Sequence, residues 1–293
     1  MREGLRYEKL QKRNDEFEQK WSESETMQIG AKNVNIYDVN PEHPKTDIPA
    51  IVGLGWSLKP ENLKGTMQSL YEHDRRVICP DTPHGIDTEN TESYPAIELR
   101  KVAALVRTLD ERRVPKADIV ANSEGGIFAV LAAYLYPERF RNLVLVNPAG
   151  MIGKDNLLRL NTGFSADVVG HVIEDMREKR PSEQRLDILS SLKTVSGSPL
   201  QATKSALAMA DSDLRDMLKE IRKRGVGIEI IYSVGDQIFP PERIMETIGI
   251  EHTDALRPVA GRHNTFYLNP EPYAEVIDEA LDELQALTRL RQS

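Results

Sequence analysis

The chain has 293 residues, a formal net charge of −8 and an isoelectric point of about 5.4, with acidic and basic side chains interspersed along its length. That length buries a sizeable core and fits one large α/β domain carrying an insertion, while the mixed charge offers no basic face for nucleic acid or anionic lipid. Cys79 is the only cysteine, which excludes an intramolecular disulfide; a charged amino terminus and no apolar stretch of bilayer length lead us to expect a soluble, cytoplasmic protein with neither signal peptide nor membrane span.

Residues 3–22 are polar, but Tyr7, Leu10, Phe17 and Trp21 recur at helical spacing, a narrow apolar stripe that docks a leading helix on the main body. We set residues 1–26 apart as an N-terminal extension, with a lid flap or a dimer contact as its functional alternatives. Residues 27–29 and 34–39 read as antiparallel edge strands joined near Gly30. Residues 49–54 form a central strand, followed by Gly55-Trp56-Ser57 and a helix over about 60–73. Residues 76–79 are the next strand, which makes Cys79 a core residue rather than a nucleophile. The turn Pro80-Asp81-Thr82-Pro83-His84-Gly85 and a polar loop lead to a helix near 94–112 with Ile97, Val102, Leu105 and Leu109 on one side. Residues 117–121 are a short buried strand, 127–136 an Ala- and Leu-rich helix, and another strand precedes Asn147-Pro148-Ala149-Gly150.

The alternation then stops. Residues 151–223 read as several helices with no strand of any strength, before a strand at 227–232, a helix at 241–248, a last strand at 255–259 and a terminal helix from about 270. Strand–helix alternation of this kind predicts an α/β fold: a mostly parallel sheet with right-handed crossovers and helices on both faces, built from 27–150 and 224–293 and interrupted by a helical insertion at 151–223.

Between the strand at 117–121 and the following helix stands Ala121-Asn122-Ser123-Glu124-Gly125-Gly126. A serine on a sharp strand-to-helix turn projects its hydroxyl above the sheet edge and needs small residues two positions to either side, here Ala121 and Gly125. The helix behind the turn aims its unpaired amides at any negative charge that develops near the serine oxygen. An ordinary strand–helix connection is the alternative for these residues alone. The segment resembles the nucleophile elbow of the α/β-hydrolase family, written G-x-S-x-G, with Ala121 in place of the first glycine.

The resemblance extends along the chain. Residues 233–240 resemble the family's G-x-x-D-x-x-x-P segment, with Ser233 replacing the glycine, and this implies Asp236 as the acid. His263, on the loop after the last strand, stands where the family carries its base, and the order Ser, Asp, His is the family's order. Leu54-Gly55-Trp56 matches the His-Gly-x element, with Leu54 where histidine is commoner, and so implies the amides of Trp56 and Glu124 as oxyanion donors. The turn at 80–85 resembles the family's D-x-P-x-x-G turn and takes a structural role. The insertion corresponds to the family's cap, whose Leu157, Leu158, Leu160, Phe164, Val168 and Val169 supply apolar lining; Leu54, Phe164 and Phe239 are the candidate substrate contacts. The mixed-charge run 174–185 reads as a solvated face.

These residues together imply a serine hydrolase that cleaves a carboxylic ester through a Ser123–His263–Asp236 acyl-enzyme mechanism. No cofactor is expected, and no histidine pair has metal-ligand spacing. The expected partner is a small-molecule ester with an apolar part, handled by a monomer or homodimer. His43, His73, His84, His171 and His252 lack the context of His263, and the role of the Glu124 side chain stays open. Two alternatives remain: a carbon–carbon bond hydrolase, because Asn122-Ser123-Glu124-Gly125-Gly126 resembles the N-S-x-G-G elbow of the meta-cleavage-product hydrolases, and a non-catalytic ligand-binding protein on a hydrolase scaffold.

Overall fold

A computed structural model of the protein describes residues 2–29, 32–81, 96–178, 199–248 and 256–292. In chain order the elements are α1 (Arg2–Ser22), β1 (Glu25–Ile29), β2 (Lys32–Val39), β3 (Ala50–Gly53), a 3₁₀ turn (Pro60–Leu63) running into α2 (Lys64–Glu72), β4 (Val77–Pro80) and α3 (Ala96–Glu111). The second half adds β5 (Ala117–Asn122), α4 (Gly125–Leu135), β6 (Phe140–Val146), α5 (Leu157–Glu178), α6 (Pro199–Asp211) and α7 (Arg215–Lys223). It closes with β7 (Gly227–Ser233), α8 (Pro241–Ile248), β8 (Leu256–Val259), α9 (Thr265–Leu268) and α10 (Glu271–Gln292).

Alternation along the strands decides which helices pack where. Successive strand side chains point to opposite faces, so β5 sends Ile119 and Ala121 to one core and Val120 to the other, and β6 divides Leu143 and Leu145 from Val144 and Val146. A strand apolar on both faces needs cover on both. α3, α4 and α7 cover one face through Val102, Leu105, Phe128 and Ile221; α2 and α10 cover the other through Met67, Leu70, Ile277 and Leu281.

The eight strands run in the order β1-β2-β4-β3-β5-β6-β7-β8, with β2 antiparallel to both β1 and β4 and every other pairing parallel. This is the expected mostly parallel sheet with helices on both faces. From β3 the chain crosses to β4 on one side and returns to β5 on the other, so the carboxyl ends of β3 and β5 flank the crevice where such sheets gather their ligands. The edge hairpin reaches further than its apolar residues suggest: Glu25 pairs with Ile36 and Ile29 with Lys32, because main-chain bonding continues through exposed polar positions that hydrophobic spacing does not mark.

α1 docks through its second half. Phe17 is fully buried and meets Tyr71 edge-on at 5.6 Å, Trp21 stacks on Tyr37 at 4.1 Å, and Arg13 donates to the Tyr71 carbonyl. Leu10 is 48% exposed, so the docked part of the stripe rests on Phe17 and Trp21 rather than on Leu10. Cys79 is buried, and that burial pushes its thiol pKa well up, in keeping with a core residue. Among the described residues of 151–223 there are helices and no strand, and no described helix is long and apolar enough to cross a membrane. The turn from Thr82 onward with His84, most of the 174–185 charge run, and His252 lie outside the described residues.

Candidate active site

Ser123 sits at φ +54°, in the left-handed region that a β-carbon disfavours. The turn holds it there: its N–H donates to the Val146 carbonyl at 3.0 Å, and its carbonyl accepts from Gly126 and Ala149, each at 3.0 Å. Strain of this kind persists only where the surroundings over-determine it. A β-carbon on Gly125 would stand 2.5 Å from the Gly53 carbonyl oxygen, so the elbow can cross the end of β3 only with glycine at that position. Ala121 pairs in register with Gly53, and a β-carbon on Gly53 would meet that of Ala121 at 3.0 Å. The glycine missing from the elbow is thus offset by a glycine on the neighbouring strand.

The three polar residues singled out in the sequence converge. His263 Nε2 lies 2.9 Å from Ser123 Oγ, and His263 Nδ1 lies 2.7 Å from Asp236 Oδ2. Asp236 Oδ1 accepts the amides of Ile238 and Phe239 at 2.8 and 2.9 Å, which leaves the other oxygen turned to the imidazole. All three side chains are buried. Burial alone would lower the His263 pKa, but the charge and hydrogen bond of Asp236, helped by the charge of Asp167, raise it above the ordinary 6.5. The arrangement can strip a proton from a serine hydroxyl and hold the resulting imidazolium.

A family model for the α/β hydrolase fold matches residues 53–270. This chain belongs to the α/β-hydrolase family. It is 27% identical over 243 residues to a 2-hydroxy-6-oxo-2,4-heptadienoate hydrolase of Pseudomonas putida, covering 73% of this chain and 79% of that one. It is equally 27% identical over 256 residues to a Mycobacterium phage D29 protein named for non-heme haloperoxidase, covering 82% and 89%. Among solved structures, a carboxylesterase from the thaumarchaeon Nitrososphaera gargenis superposes with a TM-score of 0.62 over 89% of this chain and 99% of that one, at 16% identity, a likeness of fold.

In this α/β hydrolase, Ser123 and His263 open on a cavity of about 340 Å³ whose other walls include Trp56, Leu58, Phe164, Val168 and Val169. Phe164 lies 5.0 Å from the Trp56 ring and edge-on to His263 at 6.2 Å. Two further expected contacts are not among the lining residues. Leu54 continues the alternation of Ala50 and Val52 into the core beneath α2 and α10, and Phe239 is buried with its ring edge-on to His263 at 5.4 Å. The backbone amides of Trp56 and Glu124 donate to no acceptor among the described residues.

The Glu124 side chain does not line the cavity. It is buried in ion-pair contact with Lys101 at 2.5 Å, and Lys101 also lies 3.2 Å from Glu98. Burial, with the Glu124 charge beside it, pushes Glu98 to about 8 against the pull of Lys101. The hydrolase elbow is therefore backed by a buried cluster in which one ammonium, Lys101, contacts two acidic side chains.

Several groups around the site were missed in the sequence. Asn147, at φ +46°, donates from Nδ2 to the His263 carbonyl at 3.0 Å and to Ser233 Oγ at 2.7 Å, and its Oδ1 accepts the Ser233 amide at 2.7 Å. Ser233 Oγ also lies 2.5 Å from the Tyr273 hydroxyl, whose pKa burial raises to about 12. The serine that replaces the usual glycine at 233 thus joins β6, β7 and α10 behind the histidine loop. Asp167, on α5, is buried against the His263 main chain, and His171, one turn further on, is buried with its Nε2 3.4 Å from Asp167.

Proposed function

We propose that this protein is a cofactor-independent serine hydrolase that cleaves a carboxylic ester with an apolar part. The observation that carries the reading is the unbroken Ser123–His263–Asp236 hydrogen-bond relay opening on an apolar cavity. His263 Nε2 takes the Ser123 proton as Oγ attacks the ester carbonyl carbon, while Asp236 keeps the second ring proton on Nδ1 and stabilises the imidazolium. The amides of Trp56 and Glu124 receive the tetrahedral oxyanion; a single such donor is worth about a hundredfold or more in turnover. The imidazolium then protonates the leaving alcohol, and water, activated by the same histidine, releases the acid from the acyl-enzyme. In this reading residues 27–150 and 224–293 form the catalytic core, 151–223 the cap that supplies Phe164, Val168 and Val169, and 1–26 an extension docked on the core.

A second reading, hydrolysis of a carbon–carbon bond in a dienoate, is favoured by the Asn122-Ser123-Glu124-Gly125-Gly126 elbow and by the similarity to the heptadienoate hydrolase. Against it, a dienoate carries a carboxylate, and among the described lining residues no lysine or arginine faces the cavity to receive one. Turnover of p-nitrophenyl esters of short and medium acyl length, set beside turnover of a vinylogous dienoate, separates the two. Ester cleavage without dienoate cleavage supports the ester reading, and the reverse overturns it. Tight ligand binding that survives Ser123→Ala, with no ester turned over by wild type, would instead make the protein a binder.

A further inference from the structure

We infer that Asp167, supplied by the inserted helix α5, is a positioning residue that sets the place of His263 and couples the seating of that helix to the competence of the base. The inference rests on reading His263 as the general base.

Gly163, Asp167 and Gly170 fall at i, i+4 and i+7 of α5 and so share one face. That face lies directly on the two loops that carry the acid and the base. A β-carbon on Gly163 would stand 2.8 Å from the Gln237 carbonyl oxygen and 3.1 Å from Ile238 Cα, one and two residues past Asp236. A β-carbon on Gly170 would stand 2.3 Å from Arg262 Cζ, in the guanidinium just before His263. Both small residues let the helix approach closer than a side chain would allow.

Between them Asp167, with no exposed surface, takes the histidine loop. Its Oδ1 accepts the His263 backbone amide at 3.0 Å and its Oδ2 accepts Asn264 Nδ2 at 2.8 Å, with His171 Nε2 3.4 Å from the same oxygen. A carboxylate is buried at heavy cost unless it is paired and bonded. Burial would raise Asp167, yet His171 and His263 hold it below the usual carboxylate range. The His263 carbonyl is held from the core by Asn147, so both main-chain groups of the residue are fixed, one by β6's end and one by α5. The Asp167 charge also favours the His263 imidazolium. Small displacements of a catalytic group cost rate steeply, which gives a contact to the backbone of the base a kinetic consequence.

The test compares ester turnover and its pH profile for wild type, Asp167→Asn and Gly163→Ala, each checked for folding by thermal unfolding and circular dichroism. Asparagine keeps an acceptor for the His263 amide and removes the charge. We expect kcat to fall about ten- to a hundredfold with KM changed by no more than about threefold. The acid limb of kcat/KM should also move to lower pH, because the imidazolium loses a supporting charge. A role in stability alone would leave that limb in place. If Asp167→Asn does not fold, Gly163→Ala carries the test: its methyl lifts α5 from the acid loop, and kcat and the acid limb should move in the same directions. A folded variant of either kind with wild-type kcat and an unmoved limb overturns the inference. Absence of any wild-type turnover overturns the hydrolase reading and this inference with it, whereas active wild type with unchanged variants overturns this inference alone.

Discussion

Asp236 and Asp167 are both buried carboxylates beside one histidine, yet they grip it differently. Asp236, at the end of β7, bonds the imidazole at Nδ1 and is itself pinned by the amides of its own loop. Asp167, from a helix inserted between β6 and β7, bonds the main-chain amide and acts on the ring only through its charge. In our account the first decides which ring nitrogen carries the proton, and the second decides where the ring stands. A misplaced tautomer abolishes base catalysis, whereas a loosened backbone only lowers the fraction of productive geometries.

Substitutions rank accordingly. Ser123→Ala should lower ester turnover by about 10⁶-fold, since it removes the nucleophile itself, and steady-state kinetics with active-site titration would measure it. Asp236→Asn should follow at about 10⁴-fold in kcat, because an amide that donates to Nδ1 leaves the wrong nitrogen protonated. A loss at Asp236 no larger than that at Asp167 would break the division of labour drawn here. On wild type, kcat/KM should decline on the acid side with a midpoint above 6.5, as protonation removes the base at the raised His263 pKa; a midpoint below 6.5 would contradict the support ascribed to the two carboxylates.

Glu98 is a third buried acidic side chain, placed behind the elbow against Lys101 rather than against the histidine. Its folded pKa of about 8 stands above its ordinary 4.5, so the folded chain keeps a proton that the unfolded chain has released between those values. Its contribution to stability is present below 4.5 and is lost as pH rises through about 8. Glu98→Gln should therefore flatten the fall in Tm between about pH 4.5 and 8 while leaving the acid limb of kcat/KM in place. An unchanged slope of Tm against pH would count against that burial.

Which residues were legible follows from how local their signals are. Ser123, Asp236 and His263 each stand at a strand's carboxyl end, and such ends meet along one sheet edge whatever the intervening chain does. The parallel sheet was equally legible, because buried strands and amphipathic helices differ in period. Leu54 and Phe239 misled because nearness in sequence to a site does not fix side-chain direction: the period of two along β3 sends Leu54 with Ala50 and Val52 into the core. Asp167, Asn147 and Tyr273 were invisible for another reason. Each bonds residues far from it in sequence, and the spacing Gly163, Asp167, Gly170 marks a helix face without saying what the face meets. The Glu124 side chain was open for want of its partner Lys101, which lies on α3.

On the proposed hydrolase reading, Ser123 is an activated nucleophile. That reading is tested most directly by treating the folded protein with a fluorophosphonate probe and locating the adduct by peptide mass spectrometry, in wild type and in His263→Ala. We predict a single adduct on Ser123 in wild type and its loss, or slowing by several orders of magnitude, in His263→Ala. An unlabelled wild-type protein, or an adduct on Ser123 that forms equally fast without His263, would contradict the account.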